Sequence, residues 1–208
     1  MKYLNYFENE ENINKKLIKS IKDDDIINVR KLIKLGADVN FTNTKTKVKG
    51  SPLAKSMQLI FDDDPPLIIA VENDNLEILD ELLKNKNIDL EIKGYFEPDS
   101  MSPRDSTALM LSAGWNRPEI LKRLIKAGAN INSKGHDGMT GLIASTVYGY
   151  TECIIILIKS GANMHMTDKF GDDFSEFLDD DIIKIIKKEC PKEYSQYLLE
   201  KETNKFNI

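Results

Sequence analysis

One helix ending is written three times in this chain. The segments LIKLGADVN, LIKAGANIN and LIKSGANMH begin at Leu32, Leu124 and Leu157. Each carries two apolar residues, a lysine that suits the negative end of a helix dipole, and a glycine that can adopt the left-handed conformation at a helix C-terminus. Three copies of one helix ending in 208 residues predict a repeated structural unit, and this restricts the possible folds more than any other feature.

The repeated unit has a period of 33 residues. Gly161 follows Gly128 by 33 residues, and Thr140 follows Thr107 by the same distance. Between each threonine and its glycine the sequence predicts two short helices. The first has small side chains, as in ALMLSA, and the second is amphipathic, as in PEILKRLIKAG and TECIIILIKSG. Two helices and a turn in 33 residues therefore define the unit.

This unit resembles the ankyrin repeat, and the resemblance covers most of residues 14–189. It implies an all-α fold, an ankyrin-repeat solenoid of about five helix-turn-helix repeats with long finger loops and a C-terminal capping helix. We expect one domain over residues 1–208. Its repeats are predicted at about 14–40, 65–91, 106–132, 136–165 and 167–189, after a lead-in of about one helical turn in residues 1–13. The last repeat should have a shortened first helix.

The chain departs from the family at the start of the first helix. The family pattern Thr-Pro-Leu-His is replaced by PPLI, TALM and TGLI, beginning at Pro65, Thr107 and Thr140. The threonine and histidine of the family tie adjacent repeats together by hydrogen bonds. We therefore expect apolar packing to replace part of those ties. After the repeats, a helix over residues 191–200 should bury Tyr194, Tyr197 and Leu198 against the last repeat.

Composition excludes several classes of function. The net charge of −5 and a pI near 5.2 argue against nucleic-acid binding, which normally requires a basic face. The longest purely apolar run, Cys153 to Ile158, is far shorter than the roughly 18 residues of a membrane span. The N-terminal residues lack the apolar core of a secretory signal. We expect a cytoplasmic monomer that does not bind membranes, although secretion by a route without a signal peptide stays open.

The period fails at two places, residues 41–64 and 92–105, where finger loops are lengthened. Insertions in repeat proteins tend to lie in loops on one face, which is often the binding face. The alternative is drift, because loops lengthen at small entropic cost. Tyr95 and Phe96 are apolar residues in the second insertion, and they either fold back on the repeats or contact a partner.

Three runs of aspartate, at 23–25, 62–64 and 179–181, could in principle hold a divalent cation. Each run precedes a predicted helix, where carboxylates cap free N–H groups and complement the helix dipole. We therefore predict helix capping, no metal site, no cofactor and no catalytic residue. The two cysteines lack metal-ligand spacing and are interpreted as structural thiols. The alternative function is metal or small-ligand binding, or an enzymatic role, that uses the inserted loops.

Two large aromatic residues repeat with the period. Trp115 and Tyr148 are 33 residues apart, at the predicted end of the first helix on the concave side, where exposed aromatic residues are typical interface anchors. Alternatively, they pack on each other or on the finger loops. We predict a non-catalytic protein-protein interaction module that binds another protein through concave helices and fingers. Its predicted contact residues are Trp115, Tyr148, Glu72, Met139, Tyr95, Phe96, Arg104, His136, Asp137 and Phe170.

Overall fold

A computed structural model describes the backbone of residues 2–42, 64–94, 105–135 and 137–206. The chain divides into two compact units, Met1–Tyr95 and Phe96–Ile208. Most of both inserted loops lies outside the described residues. The predicted contact residues outside them are Tyr95, Phe96, Arg104 and His136.

The first unit contains two helix pairs. They are α1 (Lys2–Lys22), α2 (Ile26–Lys34), α3 (Pro66–Glu72) and α4 (Leu76–Leu83), and a two-residue strand, β1, follows at Lys93–Gly94. α1 packs on α2 and α3, and α3 packs on α4. Leu17, Ile21, Leu67 and Leu79 are fully buried between these helices.

The start of the chain is more helical than predicted. Residues 1–13 were expected to supply about one helical turn, but α1 runs without a break from Lys2 to Lys22. The segment contains no glycine or proline, so nothing in it stops a helix that is anchored downstream by the buried Leu17 and Ile21.

The second unit continues the same pattern. It begins with strand β2 (Ser106–Thr107) and contains α5 (Ala108–Gly114), α6 (Pro118–Ala127), α7 (Gly141–Val147), α8 (Thr151–Lys159), a 3₁₀ helix (Phe174–Phe177), α9 (Asp180–Glu189) and α10 (Pro191–Phe206). The 3₁₀ helix is the shortened first helix predicted for the last repeat. α10 extends beyond the predicted end at residue 200. In the described residues, regular structure is almost entirely helical, and the prediction of an all-α repeat fold is confirmed.

The glycines of the three helix endings adopt the predicted left-handed conformation. The φ angles of Gly36, Gly128 and Gly161 are 92°, 97° and 87°. A Cβ atom at any of them would meet no neighbouring atom within 4 Å. The glycines are therefore required by backbone conformation and not by close packing.

A second left-handed position lies between the two helices of each of the first four repeats. Asp24, Asp74, Asn116 and Gly149 have φ angles of 60°, 54°, 56° and 70°. Each of the last three lies nine residues after its repeat start, at Pro65, Thr107 or Thr140. Only one of the four is glycine, because aspartate and asparagine tolerate this conformation better than other side chains.

Two of the three aspartate runs cap helices as predicted. Asp25 accepts a hydrogen bond from the backbone N–H of Asn28 at 3.0 Å, and Asp179 accepts one from Ile182 at 2.7 Å. The third run differs. The N-cap of α3 is Pro65, which offers no side-chain hydrogen bond, so Asp64 does not occupy the predicted N-cap position. Asp62 and Asp63 lie outside the described residues.

The C-terminal helix α10 buries two of the three residues predicted to pack on the last repeat. Tyr194 and Tyr197 are 6% and 1% exposed, as predicted, but Leu198 is 39% exposed. The buried face includes Lys201 instead, whose Nζ donates to Asp173 at 2.9 Å and to the Ser175 hydroxyl at 2.7 Å. Leu198 thus lies outside the face that α10 buries.

Candidate partner-binding surface

Trp115 and Tyr148 occupy equivalent positions at the ends of two packed helices. Trp115 is the C-cap of α5 and Tyr148 is the C-cap of α7, and α5 packs directly on α7. The sequence thus places both rings correctly along the repeat. Both are half-buried, whereas the sequence suggested exposed rings. Their conformations are therefore restrained by neighbouring atoms before any partner arrives.

The restraint on Tyr148 is visible in its surroundings. Its ring stacks on Tyr150, with ring centroids 5.7 Å apart and an interplanar angle of 26°. The preceding residue, Val147, is 43% exposed. The end of α7 thus presents an apolar side chain next to a fixed aromatic pair, which is a suitable composition for the centre of a protein interface.

The tips of two neighbouring fingers are joined by contacts of Lys169. Its backbone N–H donates to the Asp137 carbonyl at 2.8 Å, and its Nζ donates to the Asp137 carboxylate at 2.7 Å. A Cβ atom at Gly138, whose φ is +75°, would lie 3.1 Å from the backbone of Asp168 and Lys169. Glycine is therefore needed at residue 138 for the two fingers to approach this closely.

Phe170 projects from this joined pair of fingers and is 75% exposed. The Asp168 carboxylate accepts hydrogen bonds from the N–H groups of Phe170 at 2.8 Å and Asp172 at 3.1 Å. The Lys169 ammonium lies 5.0 Å from the centre of the Phe170 ring. A large exposed aromatic residue is thus held on a turn with its own hydrogen bonds, at a position that the sequence predicted for binding.

Met139 lies at the base of the same finger. Its carbonyl accepts a hydrogen bond from the N–H of Gly135 at 2.9 Å, and its side chain is half-buried. The hydrogen bond closes the finger between these residues. Met139 therefore supports the finger as well as contributing surface to it.

Glu72 belongs to the first unit and has an unusual ionisation. It ends α3 and is half-buried. Burial, together with the negative charge of Asp64, raises its pKa to about 7, while Lys22 acts in the opposite direction. The carboxyl therefore changes charge near neutral pH, a property that its position in the sequence did not indicate.

Asparagine side chains tie neighbouring repeats, and the sequence interpretation missed them. Asn40 donates to the Asn87 carbonyl at 2.7 Å and accepts from the N–H of Asp89 at 2.8 Å. Asn132 accepts from the N–H of Asn163 at 2.8 Å. Both asparagines end the repeated phrase, four residues after Gly36 and Gly128. The recurrence of asparagine at this place in the sequence could have indicated a structural role, but it does not identify the hydrogen-bond partner.

In the third copy of the repeated phrase this position is a histidine. His165 lies four residues after Gly161, and its Nε2 is 2.8 Å from a carboxylate oxygen of Glu200 in α10. Its ring centroid lies 4.9 Å from that of Tyr197. The side chain thus contacts the capping helix, whereas Asn40 and Asn132 contact the next repeat. His165 is therefore part of the C-terminal packing.

The part of the chain that the structure describes contains no group of three or more histidine, cysteine, aspartate or glutamate residues arranged to hold a metal ion. In the same part, no helix is both long and apolar enough to cross a membrane. Cys153 and Cys190 are buried, and burial raises the pKa of both thiols. A raised pKa disfavours the reactive thiolate, which agrees with a packing role.

Comparison with known sequences decides the family. A sequence model of ankyrin repeats (three copies) matches residues 8–134 and 67–168. The chain belongs to the ankyrin repeat family. Ankyrin repeats generally mediate interactions between proteins, and the family is typically non-catalytic.

Individual relatives match over part of this ankyrin repeat protein. Glycerophosphocholine phosphodiesterase gde1 of Schizosaccharomyces pombe is 30% identical over 108 residues, or 51% of this chain and 9% of the relative. Protein phosphatase 1 regulatory subunit 12A of Mus musculus is 36% identical over 77 residues, or 37% of this chain and 8% of the relative. The matched regions thus span less than a tenth of either relative.

Proposed function

We propose that this chain is a non-catalytic interaction module that binds another protein as a cytoplasmic monomer. Its binding surface in the second unit consists of the finger tip around Phe170 and the helix ends at Trp115 and Tyr148. Glu72 and the residues of the inserted loops, Tyr95 and Phe96 among them, remain predicted contributors.

The exposure of Phe170 carries the proposal. At 75% exposed, this ring contributes little to folding, yet the Asp168 turn and the contact of Lys169 with Asp137 hold the backbone that carries it. Anchors of this kind bind with small entropic loss because their position is already restricted. Aromatic residues are also enriched among those that dominate binding energy.

The test compares two equally exposed apolar residues. The wild-type chain, Phe170→Ala and Ile27→Ala are immobilised, and the proteins retained from extracts of the source organism are quantified. Ile27 is 77% exposed and lies on α2 in the first unit, so it controls for the loss of any exposed apolar side chain. We expect Phe170→Ala to weaken binding of the captured partner at least about tenfold, while Ile27→Ala binds as wild type.

Both variants should keep the wild-type melting temperature, because substitutions at exposed positions usually change stability by less than about 0.5 kcal/mol. Equal retention by all three chains would show that the finger tip is not the binding surface. A wild-type chain that retains nothing above the level of a denatured control would contradict the proposed function itself.

A further inference from the structure

The first helices of three successive repeats in the second unit end on apolar residues. α5, α7 and the 3₁₀ helix pack side by side in that order, and their C-caps are Trp115, Tyr148 and Leu178. All three side chains are half-buried, and Val147 beside the middle one is 43% exposed. We call Trp115, Tyr148 and Leu178 the C-cap row.

The spacing of the C-cap row restricts what can lie along it. Packed helices have axes about 8–10 Å apart, so a ligand must present a side chain on one face at about this interval. A β-strand places same-face residues about 6.6 or 13 Å apart. A polyproline II helix returns to the same face every third residue, after about 9.3 Å. An α-helix does so every seventh residue, after about 10.5 Å.

The chemistry of the row favours the polyproline II conformation. Trp115 and Tyr148 are aromatic, and the Tyr148 ring is held by its stack on Tyr150. Proline-rich segments dock on surfaces lined by aromatic rings, and their preformed conformation loses little entropy on binding. The interval of about 9.3 Å also falls within the helix spacing, whereas the intervals of a β-strand do not.

Negative charge near one end of the row predicts the orientation of a bound segment. Asp180 and Asp181 open α9, two and three residues beyond Leu178, and both are exposed. Asp181 lies 2.8 Å from Lys184, but its side chain is still 86% exposed. Two carboxylates next to one end of an apolar row would attract basic residues at the matching end of a ligand.

We propose, building on the proposed function, that the C-cap row binds a proline-rich segment in the polyproline II conformation. Every third residue of the segment contacts one member of the row, and a basic residue at one end faces Asp180 and Asp181. The proposal concerns the helix ends, whereas the proposed function is tested at the finger tip.

The experiment uses fluorescently labelled synthetic peptides and the full chain. The first peptide carries proline at every third position over three periods and ends in two arginines. A second peptide has the same composition with prolines every fourth position, and a third forms a helix with leucine every seventh residue. We expect saturable anisotropy changes with the first peptide and affinities at least about tenfold lower for the other two. Because the changes are in the ligand, the outcome does not depend on variant folding.

Protein variants then locate the site. Tyr148→Ala should weaken binding of the first peptide at least about tenfold. Leu199→Ala, which removes an apolar side chain that is 65% exposed on α10, should leave it unchanged. The double variant Asp180→Asn and Asp181→Asn should lower affinity for the arginine-ending peptide about three- to fivefold and reduce its salt dependence. It should not change the affinity for an arginine-free version.

Tighter binding of the helical peptide, equal binding of the two proline peptides, or binding that survives Tyr148→Ala would each overturn the inference. The proposed function fails separately. One combination of results separates the two proposals. If the wild-type chain captures a protein that Phe170→Ala binds weakly, and the peptides do not bind, then the proposed function is supported and only the proline-rich ligand is excluded.

Discussion

Removing one hydroxyl group from α10 should destabilise the C-terminal end of the protein. The Tyr197 side chain is 1% exposed, and its hydroxyl lies 2.9 Å from an Asp173 carboxylate oxygen, to which it donates, and 2.8 Å from the Ser175 hydroxyl. In Tyr197→Phe the ring can still pack on Phe174, whose centroid is 5.2 Å away. The variant therefore isolates the polar contribution of the hydroxyl.

The expected magnitude follows from the charge of the acceptor. Hydrogen bonds to charged groups contribute about 1.5–3 kcal/mol, compared with about 1 kcal/mol for neutral pairs. Asp173 keeps its contacts with Lys201 and Ser175, so we expect a loss of about 1.5–3 kcal/mol and not more. For a chain of this size that corresponds to a fall of about 3–12 °C in melting temperature.

Tyr194→Phe is the matched control. Tyr194 is 6% exposed, lies on the same helix and stacks on Tyr197 with centroids 5.9 Å apart, but its hydroxyl has no hydrogen-bond partner in the described structure. Both variants are unfolded with urea and followed by circular dichroism. Tyr194→Phe should change the free energy of unfolding by less than about 0.5 kcal/mol. Equal stability of the two variants would refute the assigned role of the Tyr197 hydroxyl.

Substitutions at two further positions test other parts of the structure. Because the folded pKa of Glu72 is raised to about 7, the folded state binds more protons than the unfolded state between about pH 4.5 and 7, and stability falls as pH rises through that range. Glu72→Gln mimics the protonated form, so its free energy of unfolding should exceed that of the wild type by about 1–2 kcal/mol at pH 8, after allowance for solvent screening. At pH 4 the two proteins should be equally stable. Urea unfolding at both pH values checks this, and the same difference at both would contradict it. Asn132→Ala removes the acceptor for the N–H of Asn163 and should lower the free energy of unfolding by about 0.5–1.5 kcal/mol. Asn132→Asp keeps an acceptor oxygen in place and is the control. An equally large loss of stability in Asn132→Asp would show that the hydrogen bond is not the cause.

The repeated helix ending allowed much of the fold to be predicted. Glycine at Gly128 and Gly161 marks helix ends because few other residues adopt the left-handed conformation at low cost. The period then placed Trp115 and Tyr148 at equivalent positions, which the structure confirms. Local rules of this kind depend on backbone geometry, and they can be read from one sequence without knowing which residues meet in space.

Other features depended on contacts between distant residues. The buried face of α10 could not be predicted because Lys201, a residue usually exposed, turns inward to Asp173, 28 positions earlier. Burial of Tyr148 depends on the packing around it, including the stack on Tyr150, which spacing does not specify. The pKa of Glu72 likewise follows from its burial and from Asp64, eight positions earlier. Each is determined by side-chain packing that no local pattern records.

The exchange of asparagine for histidine at one repeat position has a consequence for how such a chain could be lengthened. Asn40 and Asn132 bond to the backbone of a following loop, whereas His165 contacts the side chains of a helix. A duplicate of the repeat that ends at Asn40 or Asn132 would carry an asparagine suited to bind the loop that follows it. A duplicate of the repeat that ends at His165 would instead carry a side chain that contacts the capping helix in this structure. Duplication should therefore be better tolerated for the repeats that end at Asn40 and Asn132 than for the repeat that ends at His165.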